Sequence, residues 1–180
     1  MEARITTPRE GNRAEAWIPG RPVPAPLRLH DTRVAPEWAD YNGHMSESCY
    51  LLVFGDGADS FFRFFGVDED YRAGGRSLFT AETHLRHLRE ARVGDRLRLT
   101  LQVLGVDAKR LHIAAEMLDD SGQVVSTAEQ LLLHVDTAAS RVAPFPGEIF
   151  ERLVEIRAAH AALPVPGYVG RVIKIPGKRG

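Results

Sequence analysis

The sequence is organised around one polar stretch, Trp38-Ala39-Asp40-Tyr41-Asn42-Gly43-His44-Met45-Ser46-Glu47. This stretch holds a carboxamide, an imidazole and two carboxylates, and an aromatic-rich run with helical spacing follows it, from Tyr50 to Phe65. Backbone N–H groups at a helix start have no intrahelical partner and are available to ligands. We therefore predict a reactive site on the first turn of a buried helix, with sheet wrapped around that helix.

The helix is predicted over Glu47–Phe65. Its apolar stripe recurs at helical spacing and consists of Tyr50, Phe54, Ala58, Phe61 and Phe65. Gly66 is a suitable C-terminal stop, because glycine adopts the left-handed conformation without strain. Gly55 and Gly57 lie inside the run, where each glycine costs about 1 kcal/mol relative to alanine. Their presence indicates that the sheet comes very close to the helix.

Outside this helix the apolar pattern changes to a period of two, which predicts strands. The predicted strands are Leu27–Val34, Ser77–Leu88, Leu97–Val103, Leu111–Met117 and Val125–Asp136. One long helix can be covered by so few strands only if the sheet curves. We therefore predict an α+β architecture in which an antiparallel sheet wraps a central helix. An amphipathic run, Phe150–Ile156, predicts a further, peripheral helix.

The length of 180 residues fits one domain with short extensions. We place the domain at residues 27–162. Residues 1–26 end in Pro22-Val23-Pro24-Ala25-Pro26 and predict an extended arm, from which Trp17 can dock on a neighbouring surface. Residues 163–180 are rich in proline and glycine and end in basic residues, so we expect a loose C-terminal tail.

The composition argues against several classes of protein. The formal net charge is -1, which gives no electrostatic basis for binding nucleic acid or an anionic membrane. No apolar run approaches the roughly 20 residues of a membrane span, and the mixed-charge N-terminus lacks the apolar segment of a secretory signal. Cys49 is the only cysteine, so no intramolecular disulfide can form and a reducing compartment is favoured. We expect a soluble, cytoplasmic protein.

From Leu27 to Asp136 the sequence resembles the hotdog-fold acyl-CoA thioesterases of the 4-hydroxybenzoyl-CoA thioesterase-like superfamily. The run Asp40-Tyr41-Asn42-Gly43-His44 is similar to the Asp-x-Asn-x-His signature of acyl-ACP thioesterases of this fold, and it also precedes the long helix. In the 4-hydroxybenzoyl-CoA thioesterase branch an aspartate acts at the position of Asn42. The mechanism of that branch therefore does not transfer directly to this chain.

A closer resemblance is to the thioesterases associated with L-carnitine dehydrogenase, which are taken to act on betainyl-CoA. The matching runs follow one another in order and are Asp40–Met45, Val53–Asp56, Glu82–Leu88, Lys109–His112 and Ala128–Asp136. The resemblance implies a hotdog fold, a homodimer or higher homo-oligomer, and hydrolysis of a short acyl-CoA, such as betainyl-CoA, to the free acid and CoA. It implies neither a metal nor a cofactor.

Thioester hydrolysis requires an activated water or a nucleophile, and donors that hold the oxyanion as it forms. Asp40 can act as the general base or attack the carbonyl directly, and Asn42 can orient the water or bind the thioester. The N–H groups near Gly43 and His44 can polarise the carbonyl oxygen. His44 can also orient its neighbours or protonate the leaving thiolate. The alternative for Asp40 and Asn42 is a structural role, because both residue types favour helix starts.

Two acidic residues and a histidine are further candidates. Glu47 can contact the substrate, although an acid in the first helical turn is also favourable without any ligand. Glu82 and His84 share one face of a predicted strand. In the resembled fold this strand runs beside the helix start, often across a dimer interface, so both are second-choice catalytic residues. A solvated strand face is the alternative.

Trp38 and Tyr41 flank Asp40 and are the candidates for binding a trimethylammonium group through cation–π attraction, worth about 0.5–2 kcal/mol. Ordinary packing is the alternative for both. Two other functions stay open at this point. One is a hotdog-fold hydratase or dehydratase that uses a His/Asp pair on a 3-hydroxyacyl thioester, and the other is a non-enzymatic acyl-CoA-binding protein.

Overall fold

The computed structural model describes residues 15–175. Its strands are β1 (Leu27–Arg33), β2 (Arg76–His87), β3 (Arg96–Val106), β4 (Arg110–Leu118), β5 (Val124–Asp136) and β6 (Arg141–Val142). Its helices are α1 (Glu47–Phe65), α2 (Glu69–Ala73) and α3 (Gly147–Ala159), with short 3-10 turns at Pro36–Trp38 and His160–Ala162. No helix in this part of the chain is both long enough and apolar enough to cross a membrane.

The strands form one antiparallel sheet in the order β1-β3-β4-β5-β2, and β6 adds a short pairing to β5. The sheet curls around α1, which confirms the predicted α+β architecture with a wrapped central helix. Both β1 and β2 are edge strands. β2 is the longer of the two, with 12 residues against seven.

Gly57 inside α1 and Gly66 at its end have the roles that the sequence predicts. A Cβ atom on Gly57 would lie 2.3 Å from the Cδ1 atom of Leu99 in β3, so an alanine at this position would force the buried Leu99 side chain to move. Gly66 ends the helix with a φ of 103°, and its N–H group is directed at the carbonyls of Phe62 and Arg63. The sheet contact therefore explains why a helix-weakening residue is used inside the helix.

Two apolar clusters fill the space between α1 and the sheet. One surrounds the C-terminal half of α1 and includes the fully buried Phe61, Phe65 and Leu153. The other, which we call the helix-start cluster, packs beneath the beginning of α1. Its buried members are Val34, Met45, Tyr50, Val53, Phe54, Ala91, Leu97, Leu99, Ala115, Met117, Val125 and Ala128. The polar stretch before α1 is therefore anchored to the core through Met45.

The described parts of both termini pack onto the domain. The Trp17 ring lies 5.5 Å from the Phe64 ring, centroid to centroid. The ring of the buried His160 accepts the N–H of Val103 on Nδ1 (2.9 Å) and donates from Nε2 to the carbonyl of Pro24 (3.0 Å).

At the other terminus, Tyr168 is buried, and its hydroxyl donates to the carbonyl of Ala115. The C-terminal segment is thus not loose around Tyr168, because burial of an aromatic ring holds it against the sheet. Residues 1–14 and 176–180 of the predicted arm and tail lie outside the described residues. The boundaries at residues 26 and 162 stay predictions.

Candidate active site

Residues 39–45 form a tight loop that closes before α1 begins. Ala39 and Met45 make an isolated antiparallel bridge. Inside it, the N–H of Asp40 donates to the carbonyl of His44 (2.8 Å), and the N–H of Gly43 donates to the carbonyl of Asp40 (3.0 Å). Gly43 has a φ of 78°, which a residue with a side chain adopts only with strain. The predicted placement of these residues on the first helical turn is therefore wrong, because the loop closes on itself before Glu47.

The carboxylate of Asp40 is held by this loop. One of its oxygens accepts the N–H of Asn42 (2.8 Å), and the other lies 3.4 Å from the Asn42 side-chain nitrogen. The hydrogen bond from the Asn42 N–H is the main cause that lowers the pKa of Asp40, and the N–H and the imidazole of His44 lower it further. Asp40 is thus ionised at neutral pH. The structural role foreseen for Asp40 and Asn42 exists, but as a turn and not as a helix cap.

The N–H groups available to an oxyanion differ from those expected. The N–H of Gly43 donates to the carbonyl of Asp40 inside the loop. The prediction that this N–H is free to bind an oxyanion is therefore wrong. Ser46 precedes α1 without a side-chain cap, and its own N–H donates to the carbonyl of Trp38. Within residues 15–175 no acceptor is found for the N–H groups of Glu47 and Ser48 at the positive end of α1. Both residues are exposed, so these donors face solvent.

His44 has a partner that the sequence did not indicate. Its Nε2 atom lies 3.0 Å from a carboxylate oxygen of Glu90, in the connection between β2 and β3. Glu90 is 46 residues away along the chain and lies in a segment without apolar periodicity, so no sequence pattern could have selected it. This pair places a second carboxylate beside the loop.

Trp38 and Tyr41 do not meet in the single chain. Trp38 is half-buried and packs against the helix-start cluster. Tyr41 is 97% exposed and contacts almost nothing. Asn42 and Gly43 are exposed as well, so the loop is open to solvent on this side. Residues 15–175 of one chain therefore supply neither an aromatic cage nor an enclosed cleft at Asp40.

Glu82 and His84 lie on the outer face of the sheet, away from α1. Between them Thr83 faces inward, where its hydroxyl accepts from the buried Gln130 amide (3.2 Å). The two side chains border a cavity of about 420 Å³, together with the pair His112 and Glu129, whose Nε2 and Oε1 atoms are 2.9 Å apart. The predicted shared face is correct.

Glu82 and His84 are nevertheless remote from Asp40 within one chain. The end of β2 that reaches the loop region is His87, whose ring lies 4.7 Å from that of Tyr50. Glu82 is five residues before His87, which is about 16 Å along a strand. The chain thus carries two separate polar groups of candidate residues.

Residues 34–153 match the model of the thioesterase-like superfamily. The chain belongs to this superfamily. A betainyl-CoA thioesterase of Pseudomonas aeruginosa is 48% identical over 155 residues, which cover 85% of this chain and 98% of that protein. An L-carnitine dehydrogenase/betainyl-CoA thioesterase of Rhizobium meliloti is 48% identical over 147 residues. The match covers 81% of this chain but only 30% of that longer protein.

Two solved structures are also similar to this chain. A putative thioesterase from Pseudomonas putida is 35% identical with a TM-score of 0.76, covering 86% of this chain and 100% of that one. A Staphylococcus aureus protein determined in complex with CoA is 26% identical with a TM-score of 0.79, covering 86% and 99%. Membership of the thioesterase-like superfamily confirms the predicted hotdog fold and the predicted class of thioester hydrolase.

Proposed function

We propose that this protein hydrolyses betainyl-CoA to the free acid and CoA. The observation that carries the chemistry is the Asp40 loop, in which a carboxylate with a lowered pKa lies beside the His44 imidazole. The loop also precedes a helix start whose first two N–H groups find no acceptor in the part of the chain that the structure describes. The substrate rests on the Pseudomonas aeruginosa relative, a betainyl-CoA thioesterase that aligns with this chain over nearly its whole length.

We propose that Asp40 attacks the thioester carbon directly. An attacking carboxylate has to be ionised, and the lowered pKa of Asp40 meets this requirement. In the proposed first step an oxygen of Asp40 forms a bond to the thioester carbon and the C–S bond breaks. His44 gives its proton to the leaving thiolate. Water then hydrolyses the mixed anhydride, which restores the Asp40 carboxylate and returns a proton to His44.

The N–H groups of Glu47 and Ser48 are our candidates for holding the oxyanion, in place of those of Gly43 and His44. They lie at the start of a 19-residue helix, where the helix dipole favours negative charge. The exposed backbone of Gly43 and the side chain of Asn42 then border the acyl group. The Glu47 carboxylate is a further candidate contact for a cationic acyl group.

We also propose that the active unit is a homodimer formed through β2. The β2 edge is long, and Phe79 on it is 56% exposed. An open edge of this length is a template for pairing with another strand. A second chain would also enclose the open side of the Asp40 loop and give Tyr41 a surface to pack on. Such a dimer offers a route by which Glu82 and His84 of one chain act near Asp40 of the other.

The dimer is tested by measuring the mass in solution with light scattering. We expect twice the 20.0 kDa of one chain. Phe79→Glu should shift the mass toward that of the monomer and reduce activity. The control is Val154→Glu, which places the same charge on an exposed apolar position of α3. A monomeric wild-type enzyme with full activity would contradict the dimer proposal.

The central experiment is release of free CoA thiol from a panel of acyl-CoA esters. Betainyl-CoA should be hydrolysed best, and Asp40→Asn should lower kcat by at least about 100-fold. The fold should survive, because asparagine still accepts the Asn42 N–H. Double-bond chemistry without thiol release would favour the hydratase alternative, and binding alone would favour a non-enzymatic protein. Persistent activity in Asp40→Asn with a loss in Glu82→Gln would move the reactive carboxylate to Glu82.

The role of Trp38 is tested by comparing two substrates. Trp38→Leu should impair hydrolysis of betainyl-CoA more than hydrolysis of a neutral acyl-CoA of similar size, because only the cationic group gains from an aromatic face. Equal losses would leave Trp38 as a packing residue.

The relatives named for L-carnitine dehydrogenase also lead us to propose a role in carnitine metabolism, in the cytoplasm.

A further inference from the structure

Glu90 is an exposed residue that the fold holds in one place. Its side chain is 68% exposed and contributes nothing to the core. The residues on either side of it are nevertheless fixed by a single buried hydroxyl. The Tyr50 oxygen accepts the N–H of Ala91 (3.1 Å) and donates to the carbonyl of Arg89 (3.3 Å).

Other contacts tie the same segment to the loop and to the sheet. The N–H of Met45 donates to the carbonyl of Ala91 (2.8 Å), and Met45 directly follows His44. The N–H groups of Leu88 and Arg89 both point at the carbonyl of Val125 in β5. The backbone at Glu90 is thus held from α1, from the loop and from the sheet, and this brings its carboxylate within 3.0 Å of the His44 Nε2 atom.

We infer that Glu90 is a positioning residue for His44 in the proposed hydrolysis. The Glu90 carboxylate oxygen lies 3.0 Å from Nε2 as an ion-pair contact, and a negative oxygen this close disfavours a bare lone pair on that nitrogen. Glu90 then fixes the ring with its proton on Nε2 and leaves Nδ1 as the atom that exchanges a proton. Within residues 15–175 no hydrogen-bond partner of Nδ1 is found. A ring held in this orientation can give its Nδ1 proton to a thiolate.

The inference rests on the proposed function. In that reaction His44 gives one proton to the leaving thiolate and receives one from the attacking water. When the C–S bond breaks, the electron pair stays on sulfur, and the thiolate takes the proton from Nδ1 of the imidazolium. Nε2 keeps its proton and stays beside the Glu90 carboxylate throughout. Water that attacks the anhydride then returns one proton to Nδ1, so His44 and Glu90 end the cycle as they began.

Glu90→Gln tests the inference, with Glu155→Gln as the control. Glu155 is an exposed glutamate on α3, so the control removes the same charge far from the loop. With betainyl-CoA we expect Glu90→Gln to lower kcat about 10- to 100-fold, a part of the full contribution of a proton donor. The control should match the wild type. The thermal midpoints of all three proteins should agree, because Glu90 is not part of the core.

A second substrate separates proton delivery from a structural effect. Aromatic thiols are more acidic than the CoA thiol and leave without help from an acid. With a thioester of betaine and an aromatic thiol, the loss in Glu90→Gln should shrink to a few-fold. A loss of equal size with both substrates would overturn the inference. The ring 15N shifts of His44 provide a readout without turnover, since Glu90→Gln should weaken the preference for the Nε2–H form.

The failure of this inference can be told apart from failure of the proposed function. If the wild type hydrolyses betainyl-CoA while Glu90→Gln matches the Glu155→Gln control, the inference falls and the proposed function stands. If the wild type releases no thiol from any acyl-CoA, both fall together. Full activity of Glu90→Gln with an unchanged His44 tautomer would show that the 3.0 Å contact has no role in catalysis.

Discussion

Replacing Tyr50 with phenylalanine should weaken both the fold and the active site, because one hydroxyl connects them. Tyr50 is 3% exposed and Ala91 is 1% exposed. Without the hydroxyl, the buried N–H of Ala91 loses its acceptor, which costs about 1–3 kcal/mol. The carbonyl of Arg89 belongs to an exposed residue and can bond to water instead. The edge-to-face contact of the ring with His87 is retained in the variant, so the change is confined to the hydroxyl.

The loss of stability is measured by chemical denaturation and checked by thermal unfolding. For a chain of this size, about 1 kcal/mol corresponds to roughly 2–4 °C, so we expect a drop of about 2–12 °C. Tyr41→Phe is the matched control, because it removes a hydroxyl from a residue that is 97% exposed. Its free energy of unfolding should stay within about 0.5 kcal/mol of the wild type.

Activity gives the second half of this prediction. Glu90 lies between the two residues that Tyr50 holds, so Tyr50→Phe should lower kcat for betainyl-CoA even at temperatures where the variant is fully folded. Stability and kcat that both equal those of the wild type would refute the reasoning. A destabilised variant with normal kcat would show that the hydroxyl supports the fold alone, and that Glu90 keeps its position without it.

Three other predictions concern the helix, a buried histidine and the nucleophile. Gly57→Ala should destabilise the protein by about 1–2 kcal/mol, because overpacking against Leu99 exceeds the gain in helix propensity. Gly147→Ala, where a Cβ atom meets nothing within 4 Å, should be neutral or stabilising, and equal effects of the two would contradict the packing argument. Burial lowers the pKa of His160 from its ordinary 6.5. The unfolded chain therefore binds this proton more readily, and stability should fall below about pH 6.5 by up to about 1.4 kcal/mol per pH unit. A His160→Gln variant should show a shallower fall in denaturation series at pH 7.5 and 5.5. Finally, attack by Asp40 should release CoA thiol before the free acid in single-turnover experiments, whereas simultaneous release would favour direct attack by water.

The central helix and the main strands could be predicted because their patterns are long. The stripe from Tyr50 to Phe65 gives both ends of α1 as observed, and the alternating runs give β3, β4 and β5. The short elements α2 and β6, with five and two residues, leave too few positions for a period to be recognised. Packing of Tyr168 was also missed, because proline and glycine around one aromatic residue do not indicate which surface it meets.

The position of the Asp40 loop could be found from the sequence, but its geometry could not. Aspartate and asparagine favour both helix starts and turns in which their side chains bond to the backbone two residues on. The sequence does not distinguish these two uses. In the structure the chain forms the turn, which the bridge between Ala39 and Met45 closes. Met45 is also held by the hydrogen bond from its N–H to the carbonyl of Ala91, a long-range contact that the local sequence does not indicate.

The same limit applies to the histidines of β2. Alternation along a strand shows which side chains share a face, but only the direction in which the sheet curls shows which face meets the helix. His84 faces outward with Glu129 opposite it, whereas His87 lies against Tyr50 and thus beside the segment that carries Glu90. Within one chain, β2 therefore approaches Asp40 at its His87 end, and the connection that follows β2 also lies beside Asp40. A contribution from Glu82 and His84 requires the second chain that we propose at the β2 edge.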